Sequence, residues 1–182
     1  MKNYLHADGS GNTFIGYSLG ALIFTLACDE AISWGVSSAS AVRRRFPKII
    51  LCQPAFSLSL NLIGAIHERP GHVSTTLLTM ARRRDAILQR LELSLQNLIS
   101  ANTDIRIIAW NDDEFVTFDD TVQAMVARAG VAIQSVTVTS FDPPAKSAFL
   151  EHCYVPFQPA FVSQVQRAVA SNISAQVDET YK

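Results

Sequence analysis

Thr13-Phe14-Ile15-Gly16-Tyr17-Ser18-Leu19-Gly20 runs from a short apolar segment into a G-x-S-x-G pentapeptide, and residues 21–27 are mostly apolar again. A strand, a sharp turn and a helix in this order form the context in which such a pentapeptide raises its serine hydroxyl above a sheet. Glycines at 16 and 20 are expected because larger side chains would clash with the strand and the helix in so tight a turn. The stretch predicts a strand at 12–17, a helix at 19–32 and Ser18 as a candidate nucleophile. The structural alternative is that Ser18 merely joins strand to helix.

The rest of the chain alternates between predicted strands and helices. Apolar and β-branched runs predict three further strands, at 48–53, Asp104–Trp110 and 131–139. Apolar residues at three- and four-residue spacing predict helices after a serine-rich break at 33–40, namely at 73–100 (one helix or a broken pair), 119–129 and 161–172. This alternation is typical of a parallel sheet covered by helices. We expect an α/β fold in three layers, with a mostly parallel sheet of about four strands and helices on both faces.

Candidate partners for Ser18 follow from chain order. In this architecture the serine is followed by an acid and then by a histidine. A carboxylate cluster of Asp112, Asp113 and Glu114 comes soon after the predicted strand Asp104–Trp110. Only His152 lies downstream of that cluster, since the other three histidines precede it. Order therefore selects His152, while the acids could also be turn or cap residues and His152 a surface histidine.

With these motifs the chain resembles the C-terminal half of the α/β-hydrolase superfamily, from about residue 12 to about residue 170. The resemblance implies Ser18 as the nucleophile, His152 as the base and the Leu19 N–H as an oxyanion donor. It favours Asp113 as the acid, with Asp112 as the second choice, although Trp110 stands where the family usually has glycine. The implied function is hydrolysis of a small-molecule ester or thioester through an acyl-enzyme, in a single domain over 1–182 with a polar tail at 173–182.

The resemblance also implies a second oxyanion donor, from a loop upstream of the serine. Only residues 1–11 precede the first predicted strand, too few for that loop and its strand. Three explanations stay open: the chain is a fragment, a second chain supplies the missing half, or catalysis has been lost. In the last case the fold would be a catalytically silent module that binds a partner or a small apolar ligand. An uncovered first strand predicts dimerisation, or pairing with a missing N-terminal half, at that edge.

Composition narrows the remaining classes of function. The chain is 48% hydrophobic and 17% charged, with a formal net charge of −1, so we expect neither a nucleic-acid nor a membrane partner. Its three cysteines are widely spaced and odd in number, which favours a reducing, cytoplasmic compartment. We expect no cofactor and no metal. Two basic runs, at 43–45 and 82–84, are interpreted as solvated helix surface.

Two alternatives concern apolar stretches. The run at 14–28 has the length of a signal-peptide core and ends in Thr25-Leu26-Ala27-Cys28, which loosely resembles a lipoprotein cleavage box. In an exported, cleaved protein Ser18 would be removed. The segment at 55–72 is either a lid over the substrate or the start of an ordinary helix that packs on the sheet.

Overall fold

The computed structural model describes residues 12–58, 78–110, 113, 115–136 and 152–171. The strands are β1 (Thr13–Tyr17), β2 (Lys48–Cys52), β3 (Asp104–Trp110) and β4 (Ile133–Val136). The helices are α1 (Leu19–Ser33), α2 (Ala39–Arg45), α3 (Arg84–Ser100), α4 (Asp120–Arg128) and α5 (Pro159–Ala170), the last preceded by a 3₁₀ turn at Val155–Phe157.

The four described strands form one parallel sheet in the order β1-β2-β3-β4. Tyr17 pairs with Cys52, and Cys52 with Ile108, so the carboxyl ends of the first three strands lie side by side. Parallel strands connected by helices place their following loops at one edge of the sheet. The expected α/β class with a four-stranded parallel sheet is confirmed.

Helices cover both faces of this sheet, as predicted. One face buries Ile49, Leu51 and Ile107 against α1, α3 and α4. The opposite face buries Ile50, Ile108 and other residues against α5 and the 3₁₀ turn. Alternation of neighbouring residues between the two clusters follows from the two-residue period of a strand. Because both faces are buried, β2 from Ile49 to Cys52 and β3 from Ile107 to Trp110 are continuous apolar runs rather than alternating ones.

The described helices agree with the sequence except at α2, and the structure decides one alternative that the sequence left open. Helix α2 begins inside the predicted break, where Ser38 accepts a hydrogen bond from the Ala41 N–H and caps the helix. The predicted helix at 73–100 is a broken pair over its described part, because the chain turns at Arg83 before α3 begins. Helix α3 buries the predicted apolar stripe, which comprises Ile87, Leu88, Leu91, Leu95 and Leu98.

Several predictions fall on residues outside the described ones. These are most of the proposed lid segment, the last three residues of the predicted fourth strand, and the tail at 173–182. Within the described ranges, no helix has both the length and the apolarity that crossing a bilayer requires.

Candidate active site

Ser18 occupies the single-residue turn between β1 and α1. Its backbone torsions are φ 50° and ψ −120°, a combination that residues with a side chain rarely adopt. Hydrogen bonds to the end of β2 and to the segment after it hold the turn in place: the Ser18 N–H donates to the Cys52 carbonyl (2.9 Å), and the Ala55 N–H donates to the Ser18 carbonyl (3.2 Å). Ser18 as a residue is half-buried.

The two glycines of the pentapeptide have different environments. A Cβ at Gly16 would lie 2.7 Å from Cε1 of Phe14 and 3.0 Å from Cα of Ala21, so the strand and the helix approach too closely for a side chain. A Cβ at Gly20 would meet nothing within 4 Å in the described structure. Among the described residues, the expected steric requirement therefore holds at Gly16 and is wrong for Gly20, at the start of α1.

His152 lies between Ser18 and Asp113. Its Nε2 is 2.8 Å from Oγ of Ser18, and its Nδ1 is 2.5 Å from Oδ2 of Asp113. The imidazole and the carboxylate are almost completely buried, with 4% and 1% of their side-chain surfaces exposed. Ser18 and His152 are 134 positions apart in sequence, and Asp113 and His152 are 39 positions apart. The carboxyl edge of the sheet brings the three together.

Asp113 has a hydrogen-bond partner for each carboxylate oxygen. Oδ1 accepts from the N–H groups of Phe115 (2.9 Å) and Val116 (2.8 Å), while Oδ2 faces His152. A carboxylate accepts but does not donate, so the proton between Asp113 and His152 belongs to Nδ1. In this tautomer Nε2 of the neutral imidazole is an acceptor, and the Ser18 hydroxyl donates to it.

Tyr17, next to the serine, also contacts His152. Its hydroxyl donates to the His152 carbonyl (2.5 Å) and lies 3.3 Å from Nδ1. The two rings stack with centroids 5.0 Å apart, and Phe161 of α5 packs edge-on against Tyr17. Burial, followed by the charge of Asp113, raises the pKa of Tyr17, so the phenol remains a protonated donor.

Gln53, directly after β2, is fully buried and has a φ of 43°. Its side-chain Nε2 donates to the carbonyls of Val116 (2.8 Å) and Trp110 (3.3 Å), and its Oε1 accepts from the Trp110 N–H (2.5 Å). The glutamine therefore contacts the chain on both sides of Asp113. Sequence reasoning missed both Gln53 and Tyr17. The available signals were a polar residue at the end of an apolar strand and an aromatic residue inside the pentapeptide.

The structure brings Ser18, His152 and Asp113 together, whereas the second-choice acid Asp112 lies outside the described residues. Leu19 is the first residue of α1, so its N–H belongs to the helical turn that lacks preceding carbonyl partners within the helix. A cavity of about 400 Å³ lies beside Asp113, between Trp110 and Gln123 of α4. Ser18 is not among its described lining residues.

No metal-binding cluster of three or more His, Cys, Asp or Glu side chains occurs among the described residues. Cys28 and Cys52 are buried in the core and form no disulfide, and burial raises the pKa of their thiols to about 11 and about 12. Neither is therefore an activated thiolate at neutral pH. Cys153, adjacent to His152, is exposed.

The fold and these side chains define a parallel α/β protein with a buried Asp–His pair aimed at a serine on a strained turn. Comparison of the chain with protein-family models, with curated proteins and with solved structures finds no match.

Proposed function

We propose that the chain is a serine hydrolase of the α/β-hydrolase superfamily that cleaves an ester or thioester through an acyl-enzyme. The observation that carries the proposal is the continuous hydrogen-bonded series from Ser18 Oγ to His152 Nε2 (2.8 Å) and from His152 Nδ1 to Asp113 Oδ2 (2.5 Å). A nucleophile within reach of a base that a third group orients is the signature of an activated serine. The strained backbone at Ser18 supports it independently, since such strain concentrates at functional sites.

Each group has a defined task in the acylation step. Ser18 Oγ forms a bond to the substrate carbonyl carbon while His152 Nε2 takes the hydroxyl proton. Asp113 stabilises the resulting imidazolium and keeps Nδ1 protonated. The carbonyl oxygen becomes an oxyanion, for which the Leu19 N–H at the start of α1 is the proposed donor. When the tetrahedral intermediate collapses, the alcohol or thiol leaves with the proton from His152.

Deacylation repeats these steps with water. His152 takes a proton from the water molecule as the water oxygen attacks the carbonyl carbon of the acyl group bound to Ser18. The second intermediate then releases the carboxylic acid, and the proton returns to Ser18 Oγ. Alcohols and thiols leave more easily than amines, so an ester or thioester makes a smaller demand on oxyanion stabilisation than an amide does.

The test is covalent labelling by a fluorophosphonate probe, which an activated serine attacks as it would a carbonyl. Intact mass spectrometry of the purified chain should show one adduct. The adduct should be absent in Ser18→Ala and strongly slowed in His152→Ala. Ser40→Ala serves as the matched control, because Ser40 is exposed on α2 and should not affect labelling. A folded wild-type chain that stays unlabelled would refute the proposal.

The second candidate function is a catalytically silent module that binds a partner, and the edge of the sheet favours it. In the described part of the chain β1 pairs only with β2, and Ile15 on β1 is 49% exposed. An uncovered strand with apolar side chains attracts a further strand, here from a second copy of the chain or from an N-terminal half. Clean monomeric behaviour in size-exclusion chromatography at micromolar concentration would contradict such pairing. For either function we propose a cytoplasmic location.

A further inference from the structure

The segment that follows β2 lies between the two parts of the site that must be held in register. Its backbone contacts the one-residue turn at Ser18, which we call the nucleophile turn. The Cys52 carbonyl accepts from the Ser18 N–H, and the Ala55 N–H donates to the Ser18 carbonyl. Gln53 lies between Cys52 and Ala55 in sequence. Its side chain contacts the loop that carries Asp113, which we call the acid loop. One short stretch of chain therefore touches both Ser18 and the loop that carries Asp113.

The contacts of Gln53 enclose Asp113 in sequence. Trp110, the last residue of β3, is bound through both its N–H and its carbonyl, and Val116 is bound through its carbonyl. The Val116 N–H in turn donates to Oδ1 of Asp113. Val116 thus connects the glutamine amide to the carboxylate, and the loop cannot move away from β2 without breaking these bonds.

The backbone of Gln53 indicates that this arrangement is costly to maintain. Its φ of 43° lies in the left-handed region, which is unfavourable for a residue with a Cβ. Such a conformation persists only where surrounding interactions over-determine it. The side chain of Gln53 lies in the interior, and the residue has an exposure of 0%. The side-chain amide has a partner at its oxygen and two partners at its nitrogen.

We propose that Gln53 is a positioning residue that fixes the distance between the nucleophile turn and the acid loop, and so keeps Asp113 on His152. The inference rests on the proposed function for its catalytic consequence, but its structural part does not. Gln53 contacts neither the serine hydroxyl nor the imidazole in the described set of bonds, and its effect passes through Val116 and Trp110 to Asp113.

The experiment compares Gln53→Glu and Gln53→Met with the wild type in fluorophosphonate labelling. Glutamate keeps an acceptor for the Trp110 N–H but loses both donors, and methionine loses all three bonds at similar size. We expect the maximal labelling rate to fall about 10- to 100-fold, as for a small displacement of a catalytic group. The probe concentration that gives half of this rate should change little, because Gln53 is fully buried and so cannot contact a probe from solvent.

Ser94→Ala is the matched control for a lost buried hydrogen bond. Ser94 is fully buried on α3 and donates to the Thr25 carbonyl (2.9 Å), away from the acid loop. Ser94→Ala should lower the urea midpoint of unfolding without slowing labelling. If the Gln53 variants fold and label at the wild-type rate, or if Ser94→Ala slows labelling as much, the proposal is overturned.

A second measurement separates this inference from the hydrolase proposal. The Nδ1 proton of His152, held against Asp113, should give a low-field proton resonance in wild type and lose it in the Gln53 variants. A wild-type chain that shows the resonance but is not labelled would refute the hydrolase function and leave the role of Gln53 to be decided by the variants' spectra. A wild type without the resonance, or variants that retain it, would overturn the role of Gln53.

If neither Gln53 variant folds, amide hydrogen exchange of the wild type decides. The N–H groups of Trp110, Phe115 and Val116 are bound either to Gln53 or to Asp113. A loop fixed to β2 should exchange these three protons as slowly as those of the central strands. Rapid exchange of Phe115 and Val116 beside a protected Trp110 would mean that the loop opens independently of Gln53, and would overturn the proposal.

Discussion

The turn that carries Ser18 and the loop that carries Asp113 follow strands of the same sheet, yet they are held by different means. Ser18 is fixed by main-chain geometry: a one-residue turn, a φ of 50° and hydrogen bonds to the backbone of Cys52 at the end of β2 and of Ala55 just after it. Asp113 is fixed by side chains, through its own carboxylate and through the amide of Gln53. The nucleophile turn needs only a local sequence pattern, whereas the acid loop depends on a residue 63 positions away from Val116.

This difference teaches where tolerance to substitution should lie. A turn held by its backbone is sensitive to the volume and flexibility of its own residues. A loop held by side-chain hydrogen bonds is sensitive to the chemistry of residues elsewhere in the sequence.

The largest effect is expected for Asp113→Asn. The substitution keeps the size of the side chain but replaces an acceptor by an amide that can donate to Nδ1 of His152, which then carries its proton on Nε2 and cannot accept from Ser18. For a triad of this kind the loss is roughly 10⁴-fold. The rate constant for fluorophosphonate labelling, followed by intact mass spectrometry, measures it.

The control for this prediction is Asp120→Asn, at an exposed position in the first turn of α4. It changes the net charge equally and should label as wild type does. A loss smaller than tenfold in Asp113→Asn, with the fold intact, would mean that the carboxylate does not orient His152. The side-chain support described for the acid loop would then have no catalytic purpose.

The second prediction compares the two glycines of the nucleophile turn. Gly16→Ala forces a Cβ to 2.7 Å from Phe14 and 3.0 Å from the α1 backbone, and overpacking of this kind costs about 1–3 kcal/mol. Gly20→Ala adds a methyl group in open space at a helical position, where alanine is favoured over glycine by up to about 1 kcal/mol. The urea midpoint of unfolding should therefore fall for Gly16→Ala and rise for Gly20→Ala.

Labelling gives the matching functional measurement. Gly20→Ala should react with the fluorophosphonate at nearly the wild-type rate, and Gly16→Ala should be slower because the strand and helix around Ser18 must separate. Equal destabilisation by both substitutions would contradict the difference in packing between the two positions.

The same contrast explains how much of this molecule could be predicted from its sequence. The parallel sheet and most helix positions follow from apolar runs and spacing, and Ser18 follows from a local motif. The start of helix α2 was missed because one serine cap, Ser38, begins it inside a polar stretch. Gln53 and Tyr17 could not be assigned roles, since their partners are selected by the tertiary fold and by a strained φ that no local pattern announces.

The third and smallest effect is expected for Tyr17→Phe. Phenylalanine retains the stacking on the His152 ring but removes the hydroxyl that donates to the His152 carbonyl. A hydrogen bond of this kind contributes about 1 kcal/mol, so the labelling rate should fall roughly fivefold. Tyr17→Leu, which also removes the stacking, should be slower still. A rate unchanged in both variants would show that Tyr17 does not position the base.

Alkaline pH gives a readout for Tyr17 that does not depend on catalysis. Burial raises the pKa of Tyr17 in the folded chain, while the unfolded chain ionises near the ordinary value of 10.0. The folded state therefore holds this proton more tightly, and the associated stability is complete below pH ~10 and is lost as pH rises further. The pKa values of Cys28 and Cys52 are also raised, so the chain loses further stability above about pH 9. This loss is the same in wild type and in Tyr17→Phe. The urea midpoint of wild type should consequently fall more steeply than that of Tyr17→Phe above pH ~10. Parallel curves would mean that the phenol is not held protonated against His152 in the folded chain.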